Sequence, residues 1–381
     1  MKKNWLKVLC VVLVMVLSSA AAETTAVVSE IAKYGNLILD KTASELFSDG
    51  LEYGDMLKVI ILDQEWDMPL GSNYSDVDTG MPVVRAAAQD EPVVVAINMG
   101  DMAASAGIAV KTKIEAEPGY RWDYLVQQPV EVRIALAQED GYREQWLIHQ
   151  LTRTNERGDY PHLSDKDFAN FRAVSTTGMG ENKLYRSSSP INPEIGRSVY
   201  ADAAAKAAGV RTVVNLADAS NTYEGTENAY YASCSTVYLN LGVDFAADSF
   251  KEGLAQGLRF IIAGEAPYLV HCNEGKDRAG FASAFLECLM GASADEVVDD
   301  YMQTYINYYG LEKGTEKYDA VVNSNIITVV VQIAVGCTTV DLTTIQMEIC
   351  AIGGITGIDV ATTTAIGITT VDLTSTNRVL N

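Results

Sequence analysis

The chain has 381 residues, more than one hydrophobic core usually serves, so two domains are the starting expectation. Hydrophobic residues make up 48% and charged residues 20%, which is typical of globular proteins and not of disordered ones. The formal net charge of -22 argues against nucleic acid or an anionic membrane as a general partner, because so acidic a surface repels both.

The first 22 residues have the pattern of an export signal. Lys2, Lys3 and Lys7 give a positive start, residues 6–17 are apolar, and residues 20–22 are alanines that suit a cleavage site. The apolar stretch is shorter than the roughly 18–20 residues that cross a bilayer, which disfavours the alternative of an uncleaved anchor. We therefore expect a secreted or cell-envelope protein with no stable membrane anchor after cleavage.

Short apolar runs then alternate with turn-forming residues from position 34 to position 108. Residues 57–62 and 92–97 are of strand length, and a further pair of strands is predicted at about 114–117 and 130–137. This spacing predicts a small all-β domain over residues 30–150. The polar, turn-rich stretch that follows, 152–167, marks the domain boundary.

Helices and strands alternate after that boundary. The pattern predicts an α/β domain over residues 165–325, with a central, mostly parallel sheet flanked by helices. A glycine, Gly209, is predicted to end the first helix. The predicted helices are 201–208, 250–263 and 279–290, and the predicted strands are 210–216, 235–241 and 268–271.

Residues 326–381 form a tail rich in threonine, isoleucine and valine, in which Thr-Thr-Val-Asp-Leu occurs twice. The repeat is too short and too sparse for a solenoid. The tail is predicted as a separate segment without an assigned role.

Neither a metal nor a cofactor is expected. Five of the 6 cysteines would remain after signal cleavage, and none forms a CxxC pair, so neither a disulfide framework nor a zinc site is indicated. His149, His162 and His271 show no metal-ligand spacing, and the chain has no glycine-rich nucleotide fingerprint.

The strongest motif is the string HCNEGKDRAG at residues 271–280, between a predicted strand and a predicted helix. Its amides should point into a cup at a helix N-terminus, where free N–H groups and the helix dipole bind an anion. The same field favours the thiolate of Cys272, the nucleophilic form. Arg278 follows six residues later, and its planar guanidinium can hold two phosphoryl oxygens. We predict Cys272 as nucleophile and Arg278 as clamp, with substrate contacts from Asn273, Glu274, Gly275, Lys276, Asp277 and Ala279 and support from His271.

This string resembles the HCxxGKDRTG signature of the bacterial tyrosine-phosphatase-like family, a group of cysteine phosphatases with dual-specificity and phosphoinositide activity. The resemblance covers about residues 167–309. It implies hydrolysis of phosphomonoesters through a phosphocysteine intermediate, with protein phosphotyrosine or a dual-specificity substrate favoured and a phosphoinositide or inositol phosphate as the alternative. Other matching segments are 168–172, 184–187, 209–216 and 299–302.

A general acid must protonate the leaving oxygen. The superfamily often takes this aspartate from a loop some tens of residues before the cysteine, where this chain has Asp244 and Asp248. Asp248 is equally well interpreted as a helix N-cap. Asp277, within the motif, is the third candidate in groups with a KDR loop. The sequence leaves the choice among the three open.

One position departs from the family. The resemblance implies a threonine or serine after the arginine, whose hydroxyl helps to hydrolyse the phosphocysteine, but this chain has Ala279. Turnover of the intermediate is therefore expected to be slower. A further alternative follows, in which the domain binds phosphate groups and is only weakly catalytic.

The N-terminal unit is similar to a second family. The segments Tyr-Gly-Asn-Leu at 34–37, Tyr-Ser-Asp-Val at 74–77 and Ala-Ile-Asn-Met-Gly at 96–100 resemble the C-terminal β-barrel of S-adenosylmethionine hydroxide adenosyltransferases. The resemblance implies a barrel-like fold. Adenosyltransferase activity is not carried over, because that family's active site needs a second, larger domain. A β scaffold that binds a partner or shapes the substrate cleft is the expectation.

Overall fold

The computed structural model describes residues 23–220, 222, 225–226 and 229–324. These residues form two compact units: one runs to Thr152 and also includes Glu312–Ser324, and the other is Arg153–Leu311. The predicted signal at 1–22 and the tail at 326–381 lie outside the described residues. Within the described ranges, no helix has both the length and the apolar character that a membrane span requires.

In the described part of the first unit, seven strands close into a barrel in the order β1-β2-β6-β5-β4-β3-β9. Neighbouring strands are antiparallel except β4 and β5, and β1 closes the barrel by pairing with β9, with Thr24 opposite Ile134. Strands β7 and β8 form a separate hairpin. The elements are β1 (Thr24–Ile31), β2 (Leu37–Thr42), α1 (Ala43–Ser48), β3 (Met56–Ile61), β4 (Gln64–Gly71), β5 (Pro82–Arg85), β6 (Pro92–Ile97), α2 (Met102–Ser105), β7 (Ala109–Lys113), β8 (Tyr120–Tyr124), β9 (Glu131–Gln138) and α3 (Arg143–His149).

The barrel is filled by alternate residues of its strands. In β3, Leu57, Val59 and Ile61 are fully buried, whereas Lys58 and Ile60 between them are only partly buried. Successive side chains of a strand point to opposite faces, so this alternation turns one face of β3 toward the barrel core. The predicted all-β unit is thus a closed barrel.

Two details of the predicted β unit are wrong. The first strand begins at Thr24, before the predicted start at 30. Residues 114–117 are not a strand but part of the turn that joins β7 to β8, where Gly119 donates to the carbonyl of Ala116 with a φ of +85°. The sequence Glu-Pro-Gly at 117–119 explains the turn, because proline and glycine interrupt a ladder and permit the reversal.

The second unit contains a five-stranded sheet in the order β10-β11-β14-β12-β13. The four strands β11, β14, β12 and β13 pair in parallel, and β10 adds an antiparallel edge, so the sheet is mixed. The elements are α4 (Asp165–Phe168), β10 (Arg172–Ala173), β11 (Leu184–Ser187), α5 (Ser198–Ala208), β12 (Thr212–Asn215), β13 (Ser235–Tyr238), α6 (Asp248–Ala263), β14 (Tyr268–His271), α7 (Asp277–Met290) and α8 (Ala294–Tyr309).

Helices cover both faces of this sheet. Ala205 of α5 packs in one cluster with Val213 and Leu269, whereas Gly257 of α6 lies against Val214. Val213 and Val214 are consecutive in β12 and therefore point to opposite faces. Helix α5 ends at Gly209 in the left-handed conformation (φ +65°), as the sequence predicts.

The last described helix, α9 (Glu316–Asn323), belongs to the first unit. It packs against α3, where Arg143 makes a bidentate ion pair with Glu316, at 2.9 Å and 3.1 Å, and Asn323 donates to Glu144. The sequence pattern assigned this helix to the 165–325 domain. Its return to the first unit depends on pairs more than 170 residues apart, which a local pattern does not reveal.

Candidate active site

The motif predicted to carry the chemistry joins β14 to α7. Strand β14 lies between β11 and β12, so the residues after His271 leave the sheet at its carboxyl edge, where ligands bind in open α/β sheets. Residues 272–278 are called the 272–278 loop here, and the last two of them open α7. Gly275 has a φ of +71°, and a Cβ on it would lie 2.4 Å from the carbonyl oxygen of Ser187, so only glycine fits there.

The carbonyl groups of the loop are held from outside it. The amide of Ser189 donates to Asn273 O at 2.8 Å, and Asn170 Nδ2 donates to Glu274 O at 3.0 Å. Nη2 of Arg186 donates to Gly275 O at 2.7 Å and to Lys276 O at 3.3 Å. Four successive carbonyls, those of residues 273–276, thereby each accept a hydrogen bond from outside the loop.

The amides of the loop are free. Among the residues that the structure describes, none accepts a hydrogen bond from the N–H groups of residues 273–278. Unpaired N–H groups on a tight loop at a helix N-terminus form an anion site, because they supply donors and the positive end of the helix dipole together. Free N–H groups are what the predicted donor cup requires, and its role as an anion site stays a prediction.

Cys272 and His271 form the base of this cup. Cys272 is a free thiol and is almost fully buried, with 2% of its surface exposed. His271 is fully buried. Its Nε2 lies 3.0 Å from the hydroxyl of Tyr231, and its Nδ1 lies 3.3 Å from Cys272 O. Burial, followed by the charge of Arg278, lowers the pKa of His271 to about 4, so the ring is neutral near pH 7.

The neutral imidazole has one consistent arrangement of hydrogen bonds. If Nδ1 carries the proton, it donates to Cys272 O, and Nε2 accepts from Tyr231, whose oxygen accepts from Asn215 Nδ2 at 3.2 Å. This chain of bonds orients the carbonyl of Cys272. The supporting role of His271 at the site stays a prediction.

Arg278 lies in the first turn of α7, and its Nη1 donates to Leu241 O at 2.8 Å. Its Nε is buried and has no hydrogen-bond partner among the described residues. The residues after Leu241 stay beside α7, because Phe245 stacks on Phe281 with ring centroids 4.9 Å apart. The segment 241–247 thus holds the guanidinium from one side. The Nε–H group remains available as a hydrogen-bond donor.

The three candidate general acids occupy different environments. Asp244 is exposed and accepts from the amide of Ala246 at 3.1 Å. Asp248 is exposed, is the first residue of α6 and pairs with Lys251 at 3.3 Å, whereas the N-cap is Ala247, one residue earlier than predicted. Asp277 opens α7 within the loop, and burial raises its pKa although the charges of Lys276 and Arg278 oppose this. Of the three, Asp277 has the environment that favours a bound proton.

Charged side chains of both signs line the rim. Arg153 pairs with Glu274, and Lys276 lies 3.6 Å from Glu274 and 3.9 Å from Asp277. Burial lowers the pKa of Lys276, but Asp277, Tyr309, Tyr305 and Glu274 together raise it above its ordinary value, so the ammonium is charged. Arg153 was not singled out in the sequence, because it lies 121 residues from its partner.

A buried ionic network stands behind the loop. Nη1 of Arg186 lies 2.5 Å from Asp300, and Nε of Arg172 lies 2.8 Å from the same carboxylate. Arg172 Nη1 also donates to Asn170, which holds Glu274 O. The segments 168–172, 184–187 and 299–302 that matched in sequence therefore meet here.

Ala279 is fully buried immediately after Arg278. The next residue, Gly280, is closely covered, since a Cβ there would lie 2.6 Å from the ring of Tyr301 and 2.9 Å from Arg186 Nη2. The hydroxyls of Tyr301 and Tyr308 are buried, and neither has a hydrogen-bond partner among the described residues. No group of histidine, cysteine and acidic residues in the described ranges could hold a metal ion.

The geometry of the loop suits an anion. A cysteine followed by free amides and by an arginine at the start of the next helix supplies donors and positive charge that can hold a phosphoryl group. Residues 166–349 match the model of the tyrosine phosphatase family. The resemblance seen in the sequence is thereby confirmed.

Solved structures that resemble the chain were also found. The core catalytic domain of a PP-IP phosphatase from S. cerevisiae, in complex with citrate, is 17% identical over 45% of this chain and 94% of that chain, with a TM-score of 0.27. P. aeruginosa TpbA in complex with pTyr is 18% identical over 45% and 93%, with a TM-score of 0.28. An uncharacterized conserved protein from Thermotoga maritima is 17% identical over 30% and 36%, with a TM-score of 0.24. A search of curated proteins found no match.

Proposed function

We propose that the second unit hydrolyses phosphomonoesters through a phosphocysteine intermediate, with protein phosphotyrosine or a dual-specificity substrate as the favoured target. The observation that carries this proposal is the cup of free N–H groups at residues 273–278, with Cys272 at its base and Arg278 at its end. A dianionic phosphoryl group satisfies these donors, and no other group in the described residues does. Export through the 1–22 signal is part of the proposal, supported by the sequence pattern alone.

The reaction has two steps. The thiolate of Cys272 attacks phosphorus in line, the P–S bond forms, and the P–O ester bond breaks as an aspartic acid gives its proton to the leaving oxygen. Water then attacks the phosphocysteine, gives its proton to the same aspartate, and releases phosphate as the P–S bond breaks. The loop amides and Arg278 stabilise the charge on the equatorial oxygens in both steps.

We assign this proton transfer to Asp277, and its position and raised pKa support the choice. It lies within the loop, and its pKa is raised mainly by burial, so a larger fraction of it is protonated near neutral pH than of an ordinary aspartate. Asp244 and Asp248 are exposed, and Asp248 is already paired with Lys251. Asp248 is better explained by the start of α6, where an acidic side chain stabilises the helix dipole.

The proposal is tested with purified protein and two aryl phosphates. Cys272→Ser and Arg278→Ala should each lower kcat/KM on p-nitrophenyl phosphate by about 1000-fold or more, because one removes the nucleophile and the other the oxyanion clamp. Asp277→Asn should lower kcat/KM far more on phenyl phosphate than on p-nitrophenyl phosphate. The phenoxide released from phenyl phosphate is a poor leaving group that needs protonation, whereas nitrophenoxide is a good one. Asp244→Asn serves as the matched control and should do neither. Full activity in Cys272→Ser would rule the mechanism out.

A second candidate function is a phosphate-binding module with little turnover. The buried Ala279 favours it, because the position holds no hydroxyl to assist the departing thiolate. Rapid mixing with p-nitrophenyl phosphate separates the two functions: a stoichiometric burst of nitrophenol followed by a slow steady state indicates accumulation of phosphocysteine. We expect Ala279→Thr to speed the slow phase by about tenfold, within the range for one positioned acid–base group. A steady state without a burst in either protein would exclude the module.

A further inference from the structure

The rim of the 272–278 loop contains two cations that face one carboxylate. Arg153 Nη2 contacts Oε1 of Glu274, and Lys276 Nζ lies 3.6 Å from Oε2 of the same side chain. The exposed fractions of the three side chains are 27%, 19% and 21% for Arg153, Lys276 and Glu274. The three side chains are therefore partly exposed, although Oε2 of Glu274 itself is buried and accepts no hydrogen bond among the described residues.

The carboxylate is fixed in this place. Glu274 is part of the loop itself, two residues after Cys272, and its backbone carbonyl is held by Asn170 at 3.0 Å. Its cationic partners are fixed as well, since Arg153 donates to Asn155 at 3.2 Å and Lys276 donates to the hydroxyl of Tyr309 at 3.5 Å. A substrate cannot use these cations without competing with Glu274.

The charges at the site then favour one phosphoryl group and disfavour a second. In the proposed reaction, the free amides of residues 273–278 and Arg278 hold the phosphoryl group that reacts. Beyond it, a second phosphate would meet Arg153 and Lys276 already neutralised by Glu274, and it would be repelled by that carboxylate. A binding site often gains specificity from a charge of the same sign as the unwanted ligand, because that charge repels it.

We propose that Glu274 is a specificity-determining residue that restricts the site to esters carrying a single phosphate and selects against polyphosphorylated substrates such as inositol polyphosphates. The proposal rests on the function proposed above and names its substrate class. It also explains how a site with two rim cations belongs to a chain with a net charge of -22, because those cations balance an acid of the loop and do not recruit further anions.

The test compares phosphotyrosine with inositol hexakisphosphate as substrates, followed by release of inorganic phosphate. The wild-type protein should prefer phosphotyrosine. Glu274→Gln should raise the ratio of kcat/KM for inositol hexakisphosphate over that for phosphotyrosine by about tenfold or more, and the gain should shrink in high salt, because the freed cations are partly exposed. An unchanged ratio would overturn the proposal.

Two controls separate this effect from a general change in charge. Glu265→Gln removes the same charge from an exposed ion pair with Arg211, before the amino end of β14, and should leave the ratio unchanged. Adding Arg153→Met to Glu274→Gln should cancel part of the gain, since it removes one of the freed cations. A gain in Glu265→Gln equal to that in Glu274→Gln would also overturn the proposal.

Failure of the proposed function is visible separately. If neither substrate is hydrolysed, the enzyme assignment fails, and the specificity claim is then decided by calorimetric binding of the same two compounds. Binding of inositol hexakisphosphate should tighten about tenfold in Glu274→Gln relative to the wild-type chain. Equal binding by the two proteins would reject the role of Glu274 even as a binding determinant.

Discussion

The two units bury different kinds of side chain. In the first unit the buried polar residues are Thr24, Asp55 and Asp76, and the two carboxylates hold turns by accepting from backbone amides. In the second unit the buried set is larger and includes arginine, histidine and glutamate. Its members are Asn170, Arg186, Ser187, Ser188, Ser189, Asn192, Arg197, Thr212, Asn215, Asp218, His271, Ser283, Glu287, Thr304 and Asn307.

The difference follows from what each unit must hold in place. A barrel satisfies its backbone by its own ladders, so its interior can be apolar. The 272–278 loop has no ladder, and its outward carbonyls need donors from side chains such as Arg186 and Asn170. A buried arginine then needs a carboxylate, which Asp300 supplies. Polar burial is thus a consequence of keeping the amides of the loop free.

The strongest way to break this comparison is Arg186→Met. It removes the donor to Gly275 O and Lys276 O and leaves Asp300 with one cationic partner fewer. We expect the free energy of unfolding to fall by about 3–5 kcal/mol, the usual result of breaking a buried ion pair. We also expect kcat/KM on an aryl phosphate to fall by about 100-fold, because a loop displaced by about 1 Å loses that much.

Leu57→Ala in the barrel core is the matched control. It should cost about 2–5 kcal/mol of stability through the cavity it leaves, yet kcat/KM of the folded protein should not change. Denaturant unfolding gives the free energy of unfolding of each variant, and steady-state assays give its kcat/KM. Normal activity in Arg186→Met would show that the loop keeps its shape without side-chain support.

The local features of the second unit could be predicted from the sequence, whereas its long-range supports could not. The strand before Cys272, the loop and the helix after it follow from an apolar run, a glycine and a helical pattern within about twenty residues. Arg186 and Asn170 were visible only as parts of matching segments. Arg153 carried no signal, because its pairing with Glu274 arises from the fold and not from spacing along the chain.

The same limit explains the errors in the first unit. The closure of the barrel depends on β1 meeting β9, more than a hundred residues away, so the strand that begins at Thr24 was not recognised. The individual strands were recognisable, because alternation of buried and exposed residues is a local property: residues 92–97 are a strand as predicted, and 57–62 differ by one residue at each end. The positions of individual strands could thus be predicted from the sequence better than the pairing between strands.

A finer test concerns Glu287, a fully buried carboxyl group of α7 whose two oxygens have no hydrogen-bond partner among the described residues. Burial and the neighbouring Asp300 raise its pKa well above 4.5, to about 8, although Arg186 and Arg172 oppose this shift. In the same network, burial acts to raise the pKa of Asp300, but the two arginines outweigh it and lower that pKa. The network therefore holds one carboxyl group protonated and one ionised near pH 7.

The sign of the pH dependence follows. Between pH 4.5 and 8 the folded protein keeps a proton on Glu287 that the unfolded chain has released, so its contribution to stability is complete below about pH 4.5 and is lost as the pH rises to 8. Glu287→Gln cannot lose this proton. We expect the variant to be more stable than the wild type above pH 8, by on the order of 5 kcal/mol, and the gap to close toward pH 5.

Denaturant unfolding of both proteins from pH 5 to pH 9 measures this gap, with Glu265→Gln as an exposed control that should follow the wild type. Asp300 and His271 do not distort the comparison. The lowered pKa of Asp300 puts its loss of stability below pH 4, and the lowered pKa of His271 acts equally on both proteins. Parallel curves for Glu287→Gln and wild type would mean that Glu287 is ionised in the folded state. The network would then hold two carboxylates against two arginines, and the contrast with the apolar barrel would be larger still.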